Sequence, residues 1–226
     1  MGENDTVKRM GVLGGTFDPP HYGHLFLADT ARVQLRLDRV LFAPAGVPPH
    51  KRVVRSPDQS KDHPSAVDHR LTMLRLALQD AGEPAFYLSR VDVDRPGPHY
   101  TVDALTILQE KFSAAQIWFL TGADSLVDLP HWRAPARIIK LARLAVLPRP
   151  GAEPDMDVLS EAVPRLRKRL DWLAGPPVAL SSSALRERVR QGLPLRYLVP
   201  PSVEAYVQAH DLYCAPQARA DCTMEA

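Results

Sequence analysis

Cysteine, long apolar runs and an excess of charge of one sign are all scarce in this sequence of 226 residues. The two cysteines, Cys214 and Cys222, are too few for a disulfide scaffold or a thiolate metal site. No apolar run reaches the roughly 18 residues of a membrane span, because Lys140 and Arg143 interrupt the most apolar region, residues 138–147. We therefore expect no membrane association and a reducing, cytoplasmic location.

The charge balance argues against a protein that coats nucleic acid. Lysine and arginine total 28 and aspartate and glutamate total 26, so the formal net charge is +2. Residues 1–9 are polar and lack the apolar segment of a signal peptide. Apolar residues make up 45% of the chain, which is ordinary for a folded protein and sufficient for a sizeable core.

Short apolar runs alternate with longer helical patterns, which predicts an α/β fold. Such alternation is typical of a mostly parallel sheet covered by helices on both faces. We expect one domain over residues 8–213 with a small helical part at its C-terminal end, a long loop over residues 44–65 and a disordered tail over residues 214–226. The predicted strands are residues 9–13, 40–43, 86–91, 116–120, 144–147 and 178–180, and the predicted helices are residues 24–35, 67–78, 100–112, 125–129, 135–141, 183–191 and 200–210.

A segment rich in glycine and histidine follows the first predicted strand, where residues 14–24 read GGTFDPPHYGH. Gly14 and Gly15 allow a ligand to approach the backbone, and the helix N-terminus beyond them favours an anion. His21 and His24 are three residues apart and so lie on one side of the first helical turn. The P-loop and the G-x-G-x-x-G fingerprint are both absent. The segment predicts a phosphate site of another kind, although a plain strand-to-helix turn is the alternative.

A second candidate phosphate site lies near the end of the chain, where residues 180–186 read LSSSALR. Serines cap helix N-termini, whereas Arg186 in the first turn would be disfavoured by the helix dipole. A bound anion removes that conflict, because the guanidinium and the hydroxyl groups of Ser182 and Ser183 would both bind phosphate. Taken alone, the segment is better explained as a simple serine cap followed by an exposed arginine.

Together, the two segments resemble the nucleotidylyltransferase superfamily that carries the H-x-G-H signature. Residues 95–103 (RPGPHYTVD), 121–124 (TGAD) and 129–132 (LPHW) are similar to segments of bacterial nicotinate-mononucleotide adenylyltransferases. Residues 47–51 and 197–213 resemble a loop and the terminal segment of that family. The resemblance spans nearly the whole chain, and the motifs occur in the order that the family has.

Four positions depart from the family pattern, and none of them is one of the two histidines or the arginine. Ser183 stands in place of threonine and keeps the hydroxyl group, whereas His99 stands in place of serine and puts the substrate preference in question. The departures are His99 for serine, Ser183 for threonine, Leu185 for isoleucine and Ala104 for threonine.

The resemblance implies a Rossmann-like, doubly wound fold and a step of NAD biosynthesis. The family transfers the adenylyl group of ATP to nicotinate mononucleotide and releases pyrophosphate, with Mg²⁺ carried by the nucleotide and no dedicated protein metal site. The residues that match the family's motifs are His21, His24 and Arg186 as catalytic residues; Gly14, Gly15, Thr16, Phe17, Gly122, Asp124, Ser182 and Ser183 in ATP binding; and Lys51, Thr101, Val102, Trp132 and Arg133 in binding the second substrate.

Alternatives stay open at this point. The chain could be another member of the superfamily, such as a pantetheine-phosphate adenylyltransferase or a glycerol-phosphate cytidylyltransferase, or could prefer the amide nucleotide. A non-catalytic nucleotide sensor, a dinucleotide-dependent oxidoreductase and a nucleic-acid binder are functions of other classes. Individually, Trp132 could be a core residue, Asp124 a helix cap and Lys51 a solvated loop charge. The sequence does not determine the oligomeric state, for which a homodimer is one candidate.

Overall fold

A computed structural model of the chain describes residues 7–46 and 65–214. Most of the predicted loop over residues 44–65, including Lys51, and nearly all of the predicted tail lie outside the described residues. The strands are β1 (Arg9–Gly15), β2 (Arg39–Pro44), β3 (Phe86–Leu88), β4 (Gln116–Gly122), β5 (Arg143–Leu147) and β6 (Leu170–Trp172). The helices are α1 (Tyr22–Leu35), α2 (Val67–Ala81), α3 (Thr101–Lys111), α4 (Ala123–Val127), α5 (Pro135–Leu141), α6 (Met156–Ala162), α7 (Ser182–Arg190) and α8 (Pro201–Ala209), with short 3-10 helices at Leu129–His131 and Leu166–Arg169.

The strands form one sheet in the order β3-β2-β1-β4-β5-β6, and every neighbouring pair is parallel. The chain first runs outward from β1 through β2 and β3, and then returns to β4 on the other side of β1. The strand order therefore reverses between β1 and β4, and in such sheets ligands bind outside the carboxyl ends of the strands at this point. The predicted fold class, a single doubly wound α/β domain, is confirmed.

Helices cover both faces of the sheet. Successive strand residues point to opposite sides, and the residues on both sides are apolar and pack against helices. On one face, Val12 of β1 packs in a cluster with buried residues of α3, α5 and α6. On the other face, Leu13 packs in a second cluster with buried residues of α1 and with Leu74 of α2. A third apolar cluster joins α2 to α7 and α8, which gives the small helical part expected near the C-terminal end.

The predicted strand over residues 178–180 is wrong, because that segment has no regular structure. The sixth strand is instead β6, which pairs with β5 in the register Val146 to Trp172. Asp171 holds β6 in place, since its carboxylate accepts hydrogen bonds from Arg143 at 2.6 and 2.7 Å and from Trp118 Nε1 at 2.8 Å. The strand β3 is also shorter than predicted, and α6 was not predicted. In the two described ranges, no helix is long and apolar enough to cross a membrane.

Candidate active site

Two adjoining pockets open where the strand order reverses. The larger has a volume of about 880 Å³ and the smaller about 300 Å³. Both are lined by Gly14, Gly15 and Thr16 at the end of β1 and by Thr121 at the end of β4. A Cβ atom at Gly14 would lie 3.2 Å from the Phe119 ring, so a larger residue here would have to push that ring aside. The predicted glycine segment thus forms the wall that the two pockets share.

His21 and His24 lie together at the start of α1, on the wall of the smaller pocket. The backbone N–H of His21 donates to Nδ1 of His24 at 3.1 Å, and the two rings stack with their centroids 3.7 Å apart. Because Nδ1 of His24 accepts a hydrogen bond, the neutral ring carries its proton on Nε2. A Cβ atom on Gly23 would lie 3.0 Å from Nδ1 of His21, which explains the glycine between the histidines.

Both histidines are held neutral. Burial, with a smaller effect from the positive charge of Arg149, lowers the pKa of His21 from its ordinary value of 6.5 to about 3. Burial also lowers the pKa of His24 well below its ordinary range, with further contributions from His21 and Arg149. Nδ1 of His21 is buried and has no hydrogen-bond partner among the described residues. The pair can therefore donate hydrogen bonds at pH 7 but carries no charge there.

Arg186 reaches the same pocket from α7 and lines it together with the histidines. Its Nη1 donates to the backbone carbonyl of Asp18 at 2.8 Å, and its Nη2 lies 3.4 Å from the hydroxyl of Ser183. Ser181 caps the helix by accepting from a backbone N–H, and Ser182 donates to the carbonyl of Pro19 at 2.9 Å. The sequence predicted that Arg186 lies in the first turn of this helix, where the helix dipole would disfavour its positive charge. In the structure α7 begins at Ser182, so Arg186 lies beyond the first turn and the predicted conflict with the dipole does not arise.

Arg70 organises the loops around the pockets and was not among the predicted site residues. The residue is fully buried in α2 and donates to the carbonyl groups of Thr16 at 2.9 Å, Ala45 at 2.7 Å and Gly46 at 2.8 Å. These carbonyls follow β1 and β2, so one guanidinium fixes the carboxyl ends of two neighbouring strands. A buried arginine on an otherwise apolar helix face is the sequence signal for such a role.

Arg149 is a second residue that the sequence interpretation missed. It follows β5, lines the smaller pocket and donates through Nη1 to Oδ2 of Asp124 at 2.6 Å. Its Nη2 donates to the carbonyl of Leu180. Asp124 makes no helix-capping hydrogen bond, since α4 begins after Gly122 without a side-chain cap, which argues against the helix-cap alternative. The rule that ligands bind beyond strand ends would have singled out Arg149 as well.

Aromatic and polar side chains line the larger pocket. The Trp132 ring meets Phe119 edge-on with centroids 5.7 Å apart, so it packs on the core and also faces the pocket. Arg133 lies over the ring of Tyr100, 4.6 Å from its centroid, and Thr101 begins α3 beside it. These residues gather around one space.

Two predicted site residues, Val102 and Phe17, have their side chains buried in the core. The Val102 side chain is 3% exposed and packs in the core, so only its backbone N–H, in the first turn of α3, is placed to meet a ligand. Phe17 is fully buried and packs against His24 with centroids 4.8 Å apart. His99, the departure from the family pattern, lines the larger pocket with Nε2 2.9 Å from the carbonyl of Arg95. Lys51 lies outside the described residues.

The comparisons with known proteins agree with this geometry. A family model described as cytidylyltransferase-like matches residues 12–188. A probable nicotinate-nucleotide adenylyltransferase of Thermomicrobium roseum is 47% identical over 207 residues, which is 92% of each chain. One of Roseiflexus sp. is 47% identical over 204 residues, which cover 90% of this chain and 97% of the relative.

Solved structures agree in fold. The nicotinic acid mononucleotide adenylyltransferase of Plasmodium falciparum, complexed with NaAD, superposes with a TM-score of 0.72 at 16% identity, over 91% of this chain and 97% of that one. The same protein complexed with APC gives a TM-score of 0.69 over the same shares. At this identity the likeness concerns the fold alone. By the matched family model and the identity to relatives over nine-tenths of its length, the chain belongs to the cytidylyltransferase-like family and, within it, to the nicotinate-nucleotide adenylyltransferases.

Proposed function

We propose that this chain transfers the adenylyl group of ATP to nicotinate mononucleotide, with nicotinate adenine dinucleotide and pyrophosphate as products. The observation that carries the proposal is the junction of two pockets at Gly14, Gly15 and Thr16. One pocket offers hydrogen-bond donors suited to phosphates, and the other offers the face of Trp132. A nucleotide in each pocket would bring the two phosphates together at the shared wall.

The reaction needs positioning and charge stabilisation, with no covalent intermediate on the protein. An ionised phosphate oxygen of nicotinate mononucleotide forms a bond to the α-phosphorus of ATP. The bond from that phosphorus to the bridging oxygen breaks, and its electron pair leaves on pyrophosphate. Because the attacking phosphate is already ionised, no general base is required. Catalysis then rests on in-line placement and on donors preorganised for the developing charge.

The neutral histidines would supply hydrogen bonds and Arg186 would supply charge. His24 would donate from Nε2 to the α-phosphate, and His21 would contact the neighbouring phosphate. Arg186 is already oriented by the carbonyl of Asp18, so its guanidinium needs little reorganisation to meet the triphosphate. Ser182 and Ser183 would add hydroxyl groups from the first turn of α7.

The adenosine and pyridine ends would be recognised by different loops. Gly122 and Asp124 follow β4, where the Asp124 carboxylate can accept hydrogen bonds from a ribose. Trp132 would stack on the pyridine ring. The backbone N–H groups at the start of α3, from Thr101 and Val102, would meet the nucleotide or its carboxylate together with Arg133. Lys51, outside the described residues, would contact a phosphate from its loop.

Mg²⁺ fits this site as an ion carried by ATP. Within the described ranges, no group of three histidine, cysteine or acidic side chains is placed to hold a metal ion. The ligands would be triphosphate oxygens and water, which Mg²⁺ commonly keeps. When bound, the ion would neutralise charge on the leaving pyrophosphate. The cytoplasmic location and the homodimer stay predictions from the sequence.

The first test is pyrophosphate release by the purified chain with ATP and Mg²⁺. Nicotinate mononucleotide, its amide analogue and phosphopantetheine would be offered in parallel. We expect strong release with the acid nucleotide. Comparable release with the amide would make the enzyme dual in specificity. Release with phosphopantetheine alone would contradict the stacking role of Trp132, and release with none would favour a nucleotide sensor.

A further inference from the structure

Arg149 extends into the smaller pocket from the loop after β5. It lines this pocket together with His21, His24 and Arg186, and 29% of its side chain is exposed. Among the described residues around this pocket, Arg149 and Arg186 are the two that carry a positive charge. Any polyanion that enters here meets both guanidinium groups.

The Arg149 guanidinium is held in place from two sides. Its Nη1 donates to Oδ2 of Asp124 at 2.6 Å, and its Nη2 donates to the carbonyl of Leu180, just before α7. These contacts use two of the five N–H donors of the group, as far as the described residues are concerned. A planar guanidinium fixed in this way is preorganised for two-pronged binding of a phosphate.

The other cation of the pocket is held by neighbouring groups in the same way. Arg186 donates to the carbonyl of Asp18 and lies against Ser183, which places it on one wall. The histidines are neutral, and the charge of Arg149 helps to keep them so. Because the histidines supply no charge, the two arginines are the full cations that can meet a departing pyrophosphate, and Arg149 is the second of them.

We propose that Arg149 is a catalytic residue that binds the β- and γ-phosphates of ATP and remains bound to them as pyrophosphate leaves. Asp124 holds its guanidinium in position before the nucleotide enters. The inference rests on the proposed function and deepens it. As the bond from the α-phosphorus to the bridging oxygen breaks, its electron pair becomes charge on pyrophosphate, and the N–H groups of Arg149 donate to those oxygens. No proton is transferred.

The test compares binding of ATP and AMP, each with Mg²⁺, to the full chain by titration calorimetry. The ratio of the two dissociation constants reports the β- and γ-phosphates alone. In Arg149→Met we expect ATP to bind roughly 10- to 100-fold more weakly, as for a lost charge-assisted hydrogen bond, and AMP to change little. Arg149→Lys should fall between, because lysine keeps the charge without the planar fork.

Two further variants separate this role from a structural one. Arg90→Met removes an exposed arginine paired with Asp94 at 2.8 Å, away from both pockets, and should leave both affinities unchanged. Asp124→Asn should weaken AMP through the lost ribose contact and ATP somewhat more, because Arg149 also loses the carboxylate that positions it. If Arg149→Met instead weakens ATP and AMP equally, Arg149 merely links two loops and the proposal is overturned.

The role of Arg149 can be tested independently of the proposed substrate, because neither ATP nor AMP contains a pyridine ring. A wild-type chain that shows no preference for ATP over AMP would overturn the role of Arg149, whichever second substrate is used. An ATP preference that depends on Arg149, combined with no turnover of nicotinate mononucleotide, would support the role of Arg149 and refute the proposed substrate.

Discussion

The hydroxyl group of Tyr213 donates a hydrogen bond of 2.7 Å to Oδ1 of Asp18, whose side chain is completely buried. The other carboxylate oxygen of Asp18 accepts from the backbone N–H of Ser65 at 3.0 Å. The backbone carbonyl of Asp18 accepts from Arg186 at 2.8 Å. Asp18 therefore joins the end of the described chain to the loop between β1 and α1 and orients the arginine of the phosphate site.

Replacing Tyr213 with phenylalanine should destabilise the protein. The substitution removes one donor from a buried carboxylate, which typically costs about 1–3 kcal/mol. Urea unfolding would measure the loss. Tyr206→Phe is the matched control, because the Tyr206 hydroxyl bonds the side chain of His69 at 3.0 Å, on α2. Equal losses in the two variants would contradict the importance of the Asp18 contact.

Removal of the phosphate-site donors should lower turnover far more than stability. We expect His24→Ala and Arg186→Lys each to reduce kcat on the order of a hundredfold, as found when a preorganised donor is lost. Arg188→Met on the same helix is the control, since Arg188 is directed to the carbonyl of Pro194 and does not line either pocket. Near wild-type kcat in a folded His24→Ala or Arg186→Lys variant would refute the assigned roles.

The local motifs predicted which residues lie together at the histidine pair, because these residues lie within a few positions of one another. His21 and His24 need only one helical turn to meet, and Gly14 and Gly15 precede them directly. Arg186 is far away in sequence, and its motif was interpretable alone as a simple helix cap. Its place beside the histidines was implied by the family resemblance and by the rule that ligands bind beyond strand ends.

Contacts that depend on several distant loops could not be predicted. Arg149 is held by Asp124 and by the carbonyl of Leu180, and neither partner is visible in the short segment that follows β5. β6 was misplaced for a similar reason. Its central residue is Asp171, and aspartate is uncommon in strands. Only the fold shows that Arg143 and Trp118 donate hydrogen bonds to its carboxylate.

Replacing Trp132 with alanine should weaken the pyridine nucleotide selectively. Loss of ring stacking should raise KM for nicotinate mononucleotide roughly 10-fold, with little change in KM for ATP. Trp132→Phe should retain much of the affinity because it keeps a flat ring. Trp172→Ala is the control, because Trp172 is 46% exposed on β6. If Trp132→Ala weakens both substrates equally and lowers the melting temperature, the residue serves the core alone.

The burial of His21 should make the protein less stable in mild acid. The unfolded chain takes up a proton at this residue near pH 6.5, whereas the folded chain does so only near pH 3. The unfolded state therefore binds more protons between these values, and the free energy of unfolding falls as the pH drops through that window. The slope contributed by one such histidine approaches about 1.4 kcal/mol per pH unit.

Urea unfolding at pH 7, 6 and 5 would measure this slope in the wild-type chain and in His21→Asn. We expect a shallower dependence in the variant, since asparagine does not titrate and is a good residue at a helix N-cap. His210→Asn, at an exposed position, is the control. Parallel stability curves for the wild-type chain and His21→Asn would show that His21 is not held neutral by the fold, and would overturn the conclusion that the histidine pair is uncharged at pH 7.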